Sequence, residues 1–242
     1  MVSKNQIKLI TSLVQKKYRK QHQLFFAEGE KVIDELLKAN FELDSLYITK
    51  PMFEGVLDSK KILISDSDLN KISALSNAND SLAVFKIPEQ KPIQNHGLIV
   101  GLDDIRDPGN FGTIIRLCDW FGISQIICSE QTVDLYNPKV IQATMGSIAR
   151  VSVNYIDLEK YLSKSELQIF GTFMDGENIY KKKLPNDGII IFGNEANGIS
   201  KNIELLVNQK VAIPRFGNLQ RTESLNVATA TAIILSEFKR MN

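Results

Sequence analysis

The sequence predicts an α/β protein, with a helix-covered parallel sheet from residue 97 onward and a smaller α/β unit ahead of it. Three observations carry that reading. Short apolar runs alternate with helically spaced apolar residues along the chain, the pattern of β and α units in turn. Ile189, Ile190, Ile191 and Phe192 form an unbroken apolar run, as a strand buried on both faces requires. Between the two parts, residues 86–96 (KIPEQKPIQNH) are polar, hold two prolines and show no periodicity, so they read as a linker.

We therefore expect a first domain over 1–88, a linker over 89–96 and a second domain over 97–242. In the first, residues 3–20 read as one helix with Ile7, Leu9, Ile10, Leu13 and Val14 inward and the lysines outward. Residues 24–29 are a short strand or turn leading into a helix over 30–39, where Val32, Ile33, Leu36 and Leu37 recur at helical spacing. Strand-like runs follow at 46–48, 62–64 and 82–85, with a helix over 66–75. In the second domain strands are expected at 98–102, 123–128, 167–173, 189–192 and 211–213. Helices are expected at 110–121, 138–148 (with Gly146 for close packing), 200–207 and 224–240.

The chain of 242 residues is long enough for two modest domains, and its 43% hydrophobic and 24% charged content is that of an ordinary globular protein. The net charge of +1 does not announce a nucleic-acid partner, but its distribution is uneven. Lys4, Lys8, Lys16, Lys17, Arg19 and Lys20 all precede the first acid, Glu28. Such a basic end fits a phosphate footprint and fits a solvated helix face equally well. Cys118 and Cys128 lie in apolar surroundings with no CxxC spacing and no neighbouring histidine, which argues against a disulfide framework or a zinc site and for a reducing cytoplasm. The start MVSKNQIKLI lacks the apolar core of a signal peptide, and no segment is long and apolar enough to span a bilayer.

Three glycine-punctuated stretches could carry chemistry. In 189–199 the buried run ends in a loop bounded by Gly193 and Gly198 with one acid, Glu195. That is where open α/β sheets place ligands, and it is also how a plain strand meets a helix N-terminus. In 103–116, Pro108 sets a turn, Asn110 can cap the following helix, and Arg116 lies about two turns in. Its guanidinium suits a phosphate, or a structural pairing with Asp103 or Asp104. The glycine spacing is neither GxGxxG nor a GKS/GKT loop, which disfavours dinucleotide and ATP sites. In 211–228, Ser224 reads as a helix N-cap and Asn226 is an odd choice just inside the helix unless its amide binds something. The small residues Ala228, Thr229, Ala230, Thr231 and Ala232 suit tight packing against backbone or a second subunit. With His22 and His96 as the only histidines, both remote in sequence from these stretches, a Ser-His-Asp hydrolase is disfavoured.

The stretches PGNFGTIIR, IFGNEANGIS and IPRFGNLQRTESLNVATATA resemble, in order and spacing, the three motifs of the SpoU/TrmH family of RNA 2′-O-ribose methyltransferases. Residues 20–88, with FFAEGEKVIDELL, resemble the small substrate-binding domain that many members carry first. The resemblance implies a deep trefoil knot over 193–225, an exception to the usual absence of knots. It implies a pocket for S-adenosylmethionine bracketed by Phe192, Gly193, Ile213 and Leu225, and a homodimer. It also implies a catalytic centre of Asn110, Arg116, Glu195, Ser224 and Asn226, working without a metal. Ribosomal RNA is favoured as substrate over tRNA; a non-catalytic ribosome-assembly factor that kept the fold is the competing reading. The chain departs from the common pattern where many members have arginine in place of Gln142 and serine in place of Thr144, which implies a changed contact to RNA; Arg215 and Arg221 add positive charge beside the pocket, fitting RNA binding or a solvated loop.

Overall fold

The computed structural model describes residues 2–217 and 224–240, and each of the two units it contains is built on its own sheet. Met1–Glu89 packs with Asp134–Ala149, and Gln90–Val133 packs with Arg150–Asn242.

In the first unit the sheet has the order β1-β4-β2-β3, from β1 (Leu24–Glu28), β2 (Leu43–Ile48), β3 (Lys61–Leu63) and β4 (Ser81–Lys86). Only β2 and β3 run parallel. The single helix expected over 3–20 is two, α1 (Lys4–Ser12) and α2 (Lys16–His22). Ser3 and Gln6 close a capping box on α1, satisfying two of the amides that a helix start leaves unpaired. Where the chain breaks between the helices, Arg19 turns inward and is only 2% exposed. Its guanidinium donates to the carbonyls of Leu13 (2.7 Å) and Val14 (2.8 Å) and to the carboxylate of Asp134 (3.0 Å). Its rigid planar fork aims donors in fixed directions at all three acceptors. Arg19 therefore belongs to the core and not to the solvated or phosphate-facing surface expected of the basic end.

Two further helices, α3 (Glu30–Lys38) and α4 (Asp66–Ile72), complete the first 89 residues. The helix α6 (Pro138–Thr144) also packs within this unit. It ends on Met145 and Gly146, both at positive φ, and a Cβ on Gly146 would approach the Glu35 side chain to 2.7 Å. Close packing at this glycine, expected from the sequence, is what the structure shows.

The second unit holds a six-stranded, wholly parallel sheet of order β10-β8-β9-β5-β6-β7. Its strands are β5 (Leu98–Leu102), β6 (Gln125–Cys128), β7 (Ser152–Tyr155), β8 (Ile169–Asn178), β9 (Gly188–Phe192) and β10 (Gln209–Ala212). The edge strand β7 was not legible in the sequence, being short and half polar. β8 extends past the expected 173, and its outer end pairs with β10 after a register shift at Lys210/Val211. Gly176 permits that shift, because a Cβ there would lie 2.6 Å from the Val211 carbonyl carbon.

Alternate residues of β9 point to opposite faces. Ile189 and Ile191 join Ile99, Ile127 and Ile169 beneath α7 (Leu158–Leu162) and α8 (Lys201–Glu204). On the other side α5 (Pro108–Trp120) and α9 (Val227–Arg240) pack together, with Phe238 meeting Phe170 edge-on at 5.1 Å. Each of these buried side chains contributes about 2 kcal/mol, which explains why the β9 run has no polar interruption. Among the described residues, no helix is long and apolar enough to cross a membrane.

Glu28, at the end of β1, is almost wholly buried and accepts hydrogen bonds from the Ser73 hydroxyl and the Ala74 amide. Desolvation outweighs both and holds its carboxyl above the ordinary value of 4.5. The native state thus binds this proton more tightly than the unfolded chain. The stability it contributes is full below 4.5 and is lost as pH rises through the native value. Glu28→Gln should flatten the fall in melting temperature between pH 4.5 and neutrality; melts across that range that match the unsubstituted protein would contradict this.

Candidate active site

The loop after β9 is folded back on its own backbone. A Cβ on Gly193 would lie 2.2 Å from both the Gly198 carbonyl carbon and the Ile199 nitrogen, so only glycine fits. Asn194 and Gly198 exchange two backbone hydrogen bonds, of 3.0 and 2.9 Å, and Gly198 takes a φ of +68° to allow the return. The buried Asn194 side chain holds the loop from inside. Its Oδ1 accepts from the amides of Ala196 (2.9 Å) and Asn197 (3.1 Å), and its Nδ2 donates to the Asp104 carbonyl (2.7 Å). At the far end the Ser200 amide donates to the Asp103 carboxylate at 2.8 Å. Glu195 is left exposed on the loop.

Two helix starts meet this loop. On α5 the cap is Asp107, which accepts from the Asn110 amide at 2.7 Å, with Pro108 at the first helical position. Asn110 is therefore not the cap, and its side chain is free for other work. On α9 the cap is Asn226, whose Oδ1 accepts from the amides of Ala228 (2.9 Å) and Thr229 (3.2 Å). This corrects the expectation that Ser224 caps the helix. Because the cap consumes the Asn226 oxygen, its Nδ2 must be the donor to Asn110 Oδ1, at 2.8 Å. That leaves Asn110 Nδ2 to donate to Glu195 Oε1 at 2.9 Å. A carboxylate that only accepts ends the line, so every polarity in it is determined.

Of the five expected catalytic residues, Asn110, Glu195 and Asn226 are thus joined directly. Arg116 is exposed on α5 and makes no hydrogen bond or ion pair with any described residue. The structural pairing open to it in the sequence does not form. Asp104 holds Arg106 at 2.8 Å, and Asp103 is taken by Ser200. Ser224 is exposed and stands at the rim of a cavity beside the loop.

That cavity has a volume of about 1390 Å³. Its lining includes all four expected cofactor residues, Phe192, Gly193, Ile213 and Leu225, together with Glu195 and Ser224. Thr172, Phe173 and Met174 from β8 and Val227, Ala230 and Ile234 from α9 complete much of its wall. Sequence reasoning missed Asn194 and Asp107. Both carried a signal: an asparagine between turn glycines suits an Asx turn, and an aspartate before proline suits a helix cap. The β8 wall gave none: Thr172 and Phe173 end the expected strand and Met174 follows it, with no local pattern that marks a cavity lining. Among the described residues no cluster of three or more metal-ligating side chains occurs. Cys118 and Cys128 are fully buried, and burial pushes both thiols up.

Residues 97–236 match the profile of the SpoU rRNA Methylase family, and residues 4–83 match that of the MRM3-like substrate binding domain. The 23S rRNA (guanosine(2553)-2′-O)-methyltransferase RlmP of Bacillus subtilis is 27% identical over 96% of both chains. The solved structure of a TrmH-family chain from Porphyromonas gingivalis superposes with a TM-score of 0.91 at 36% identity, covering 100% of both chains. An AdoMet-bound rRNA methyltransferase from Sinorhizobium meliloti superposes at 0.89 with 27% identity, covering 100% of this chain and 97% of that one.

Gly193→Ala should lower stability by about 2 kcal/mol, because the overpacked atom meets backbone that cannot swing away. Denaturant melts against a Gly55→Ala control, where a Cβ meets nothing within 4 Å and φ is not in the left-handed region, would check this; equal losses at the two sites would contradict it.

Proposed function

The chain belongs to the SpoU rRNA Methylase family, and from that premise we propose that it transfers the methyl group of S-adenosylmethionine to a ribose 2′-hydroxyl of ribosomal RNA. The observation that carries the reading is the hydrogen-bonded line Asn226–Asn110–Glu195 beside a glycine-walled cavity. The residues fit the cofactor. Gly193 leaves backbone uncovered where a side chain cannot go, and Phe192, Ile213, Leu225 and Val227 offer apolar surface to a nucleoside. The volume exceeds the upper end, about 1,000 Å³, of ordinary small-molecule sites, which leaves room for a substrate nucleotide. When bound, the sulfonium supplies an electrophilic methyl carbon.

The work left to the chain is alignment and charge control. Glu195 is held in one orientation by Asn110, and Asn110 by the cap of α9. Arg116, a guanidinium with no partner among the described residues, is suited to bind the phosphate next to the target ribose and to polarise the 2′-hydroxyl. Ser224, at the rim, is placed to donate to or accept from the same nucleotide. Ribosomal RNA is favoured because the rRNA enzyme RlmP aligns over nearly the whole chain, whereas the tRNA (guanosine(18)-2′-O)-methyltransferase of Aquifex aeolicus aligns over 59% of it. The first-unit profile, a substrate binding domain, supports the same choice.

Three further parts of the reading follow the family resemblance. The knot that the resemblance places over 193–225 belongs to this reading, and residues 218–223 of that span lie outside the described residues. The protein works in the cytoplasm. It is a homodimer, to which Trp120, 84% exposed at the end of α5, and the exposed Thr229 of α9 would contribute. Ala228 and Thr231, expected to serve such a contact, are buried in the chain's own fold.

Tritiated S-adenosylmethionine and total RNA from cells lacking the gene should yield label in one rRNA band, and Asn110→Ala or Glu195→Ala should reduce it by about 100-fold, the lower range for losing a positioning or proton-handling group. Arg116→Lys should lose most of its turnover, because a point charge does not reproduce the fork. Full activity in Arg116→Lys would remove that residue's role. Cofactor binding without label in any band would favour the assembly-factor reading.

A further inference from the structure

We propose that Tyr180 and Phe216 form a stacking step for an unpaired base of the RNA, flanked by cations that hold its backbone. The inference rests on the RNA-methyltransferase reading and adds a contact surface outside the cavity. Phe216 is 80% exposed, and its ring lies 6.4 Å from that of Tyr180 with the planes inclined by 30°. A phenylalanine left this far in water forgoes its burial energy, and a nucleobase on its face recovers it.

Tyr180 is held on a rigid mount. It sits in a 3₁₀ turn, Ile179–Lys181, anchored by the fully buried Ile179 and capped by Asn178, which accepts the Tyr180 amide at 3.0 Å. The run Tyr180-Lys181-Lys182-Lys183 then divides its charges. Lys182 is tied inward, to Glu177 at 2.7 Å and to the Gln209 amide oxygen at 3.1 Å. Lys181 and Lys183 are exposed and make no hydrogen bond or ion pair with a described residue. Arg215, beside Phe216, lines the cavity and touches the Met174 sulfur at 3.6 Å. Of the two acids at the end of β8, Glu177 is neutralised by Lys182, and Asp175 interacts with Lys210. An aromatic step with a surplus of cations at the mouth of a nucleotide-sized cavity matches an anionic strand with splayed bases, the form in which RNA is most readily read. An apolar peptide would have no use for the cations.

The test is the affinity of a fluorescein-labelled, single-stranded RNA oligonucleotide of mixed sequence, read by anisotropy for the full chain. Phe216→Ala and Phe216→Leu should each weaken binding about tenfold, while Phe216→Trp retains it, since stacking needs a π-face and not mere hydrophobicity. Unchanged melting curves and unchanged S-adenosylmethionine affinity in all three would separate loss of stacking from loss of fold, because Phe216 is not part of the cavity wall. Equal affinity across the four proteins, or a leucine variant as tight as the tryptophan one, would overturn the proposal while leaving methyl transfer to be judged by its own label. Phe216-dependent binding in a protein that labels no RNA would uphold the stacking step and sink the enzymatic reading.

Discussion

At Gly193 the distance to the returning backbone of Gly198 and Ile199 leaves no space for a single methyl group. Everything at the site follows from that contact. Because the loop after β9 turns back so tightly, Asn194 is pulled inside it and Glu195 is pushed out toward α5. The same fold-back places Gly193 and Gly198, which carry no side chain, in the cavity lining. A loop of ordinary breadth would close over the cavity or aim Glu195 elsewhere.

The two helix caps translate this backbone constraint into chemistry. Asp107 caps α5 and so releases the Asn110 side chain; Asn226 caps α9 with its oxygen and so is obliged to offer its amide hydrogens. Each cap is worth about 1 kcal/mol to its helix, a modest sum, yet together they give the line to Glu195 one direction. The line is therefore preorganised before any substrate arrives, and preorganisation is where enzymes obtain most of their electrostatic advantage. The β8–β9–β5 centre of the sheet, buried on both faces, supplies the rigid base from which loop and helices project.

Much of this was legible in the residues. The unbroken Ile189–Phe192 run, the glycines about Glu195 and the small residues of α9 announced the sheet, the loop and a close-packed helix. What could not be read was polarity within local structure. Asn110 and Ser224 both suited a cap by residue type, and in each case a neighbour took the role: Asp107, favoured by the proline after it, and Asn226. The single helix expected over 3–20 broke because a buried guanidinium, Arg19, offers carbonyls a partner that sequence periodicity does not count. The edge strand β7, and the outer half of β8 beyond Phe173, exist through pairing with distant segments, which no local pattern records. Residues 218–223, including Arg221, lie outside the described residues.

The central claim is that this loop and this hydrogen-bonded line direct a methyl group to a sugar oxygen of RNA. It is tested most directly by digesting RNA labelled by the purified protein to nucleosides and identifying the labelled species by chromatography and mass. Label confined to one 2′-O-methylnucleoside from ribosomal RNA is the result this structure predicts. Label on a methylated base, or on no nucleoside at all, would contradict it.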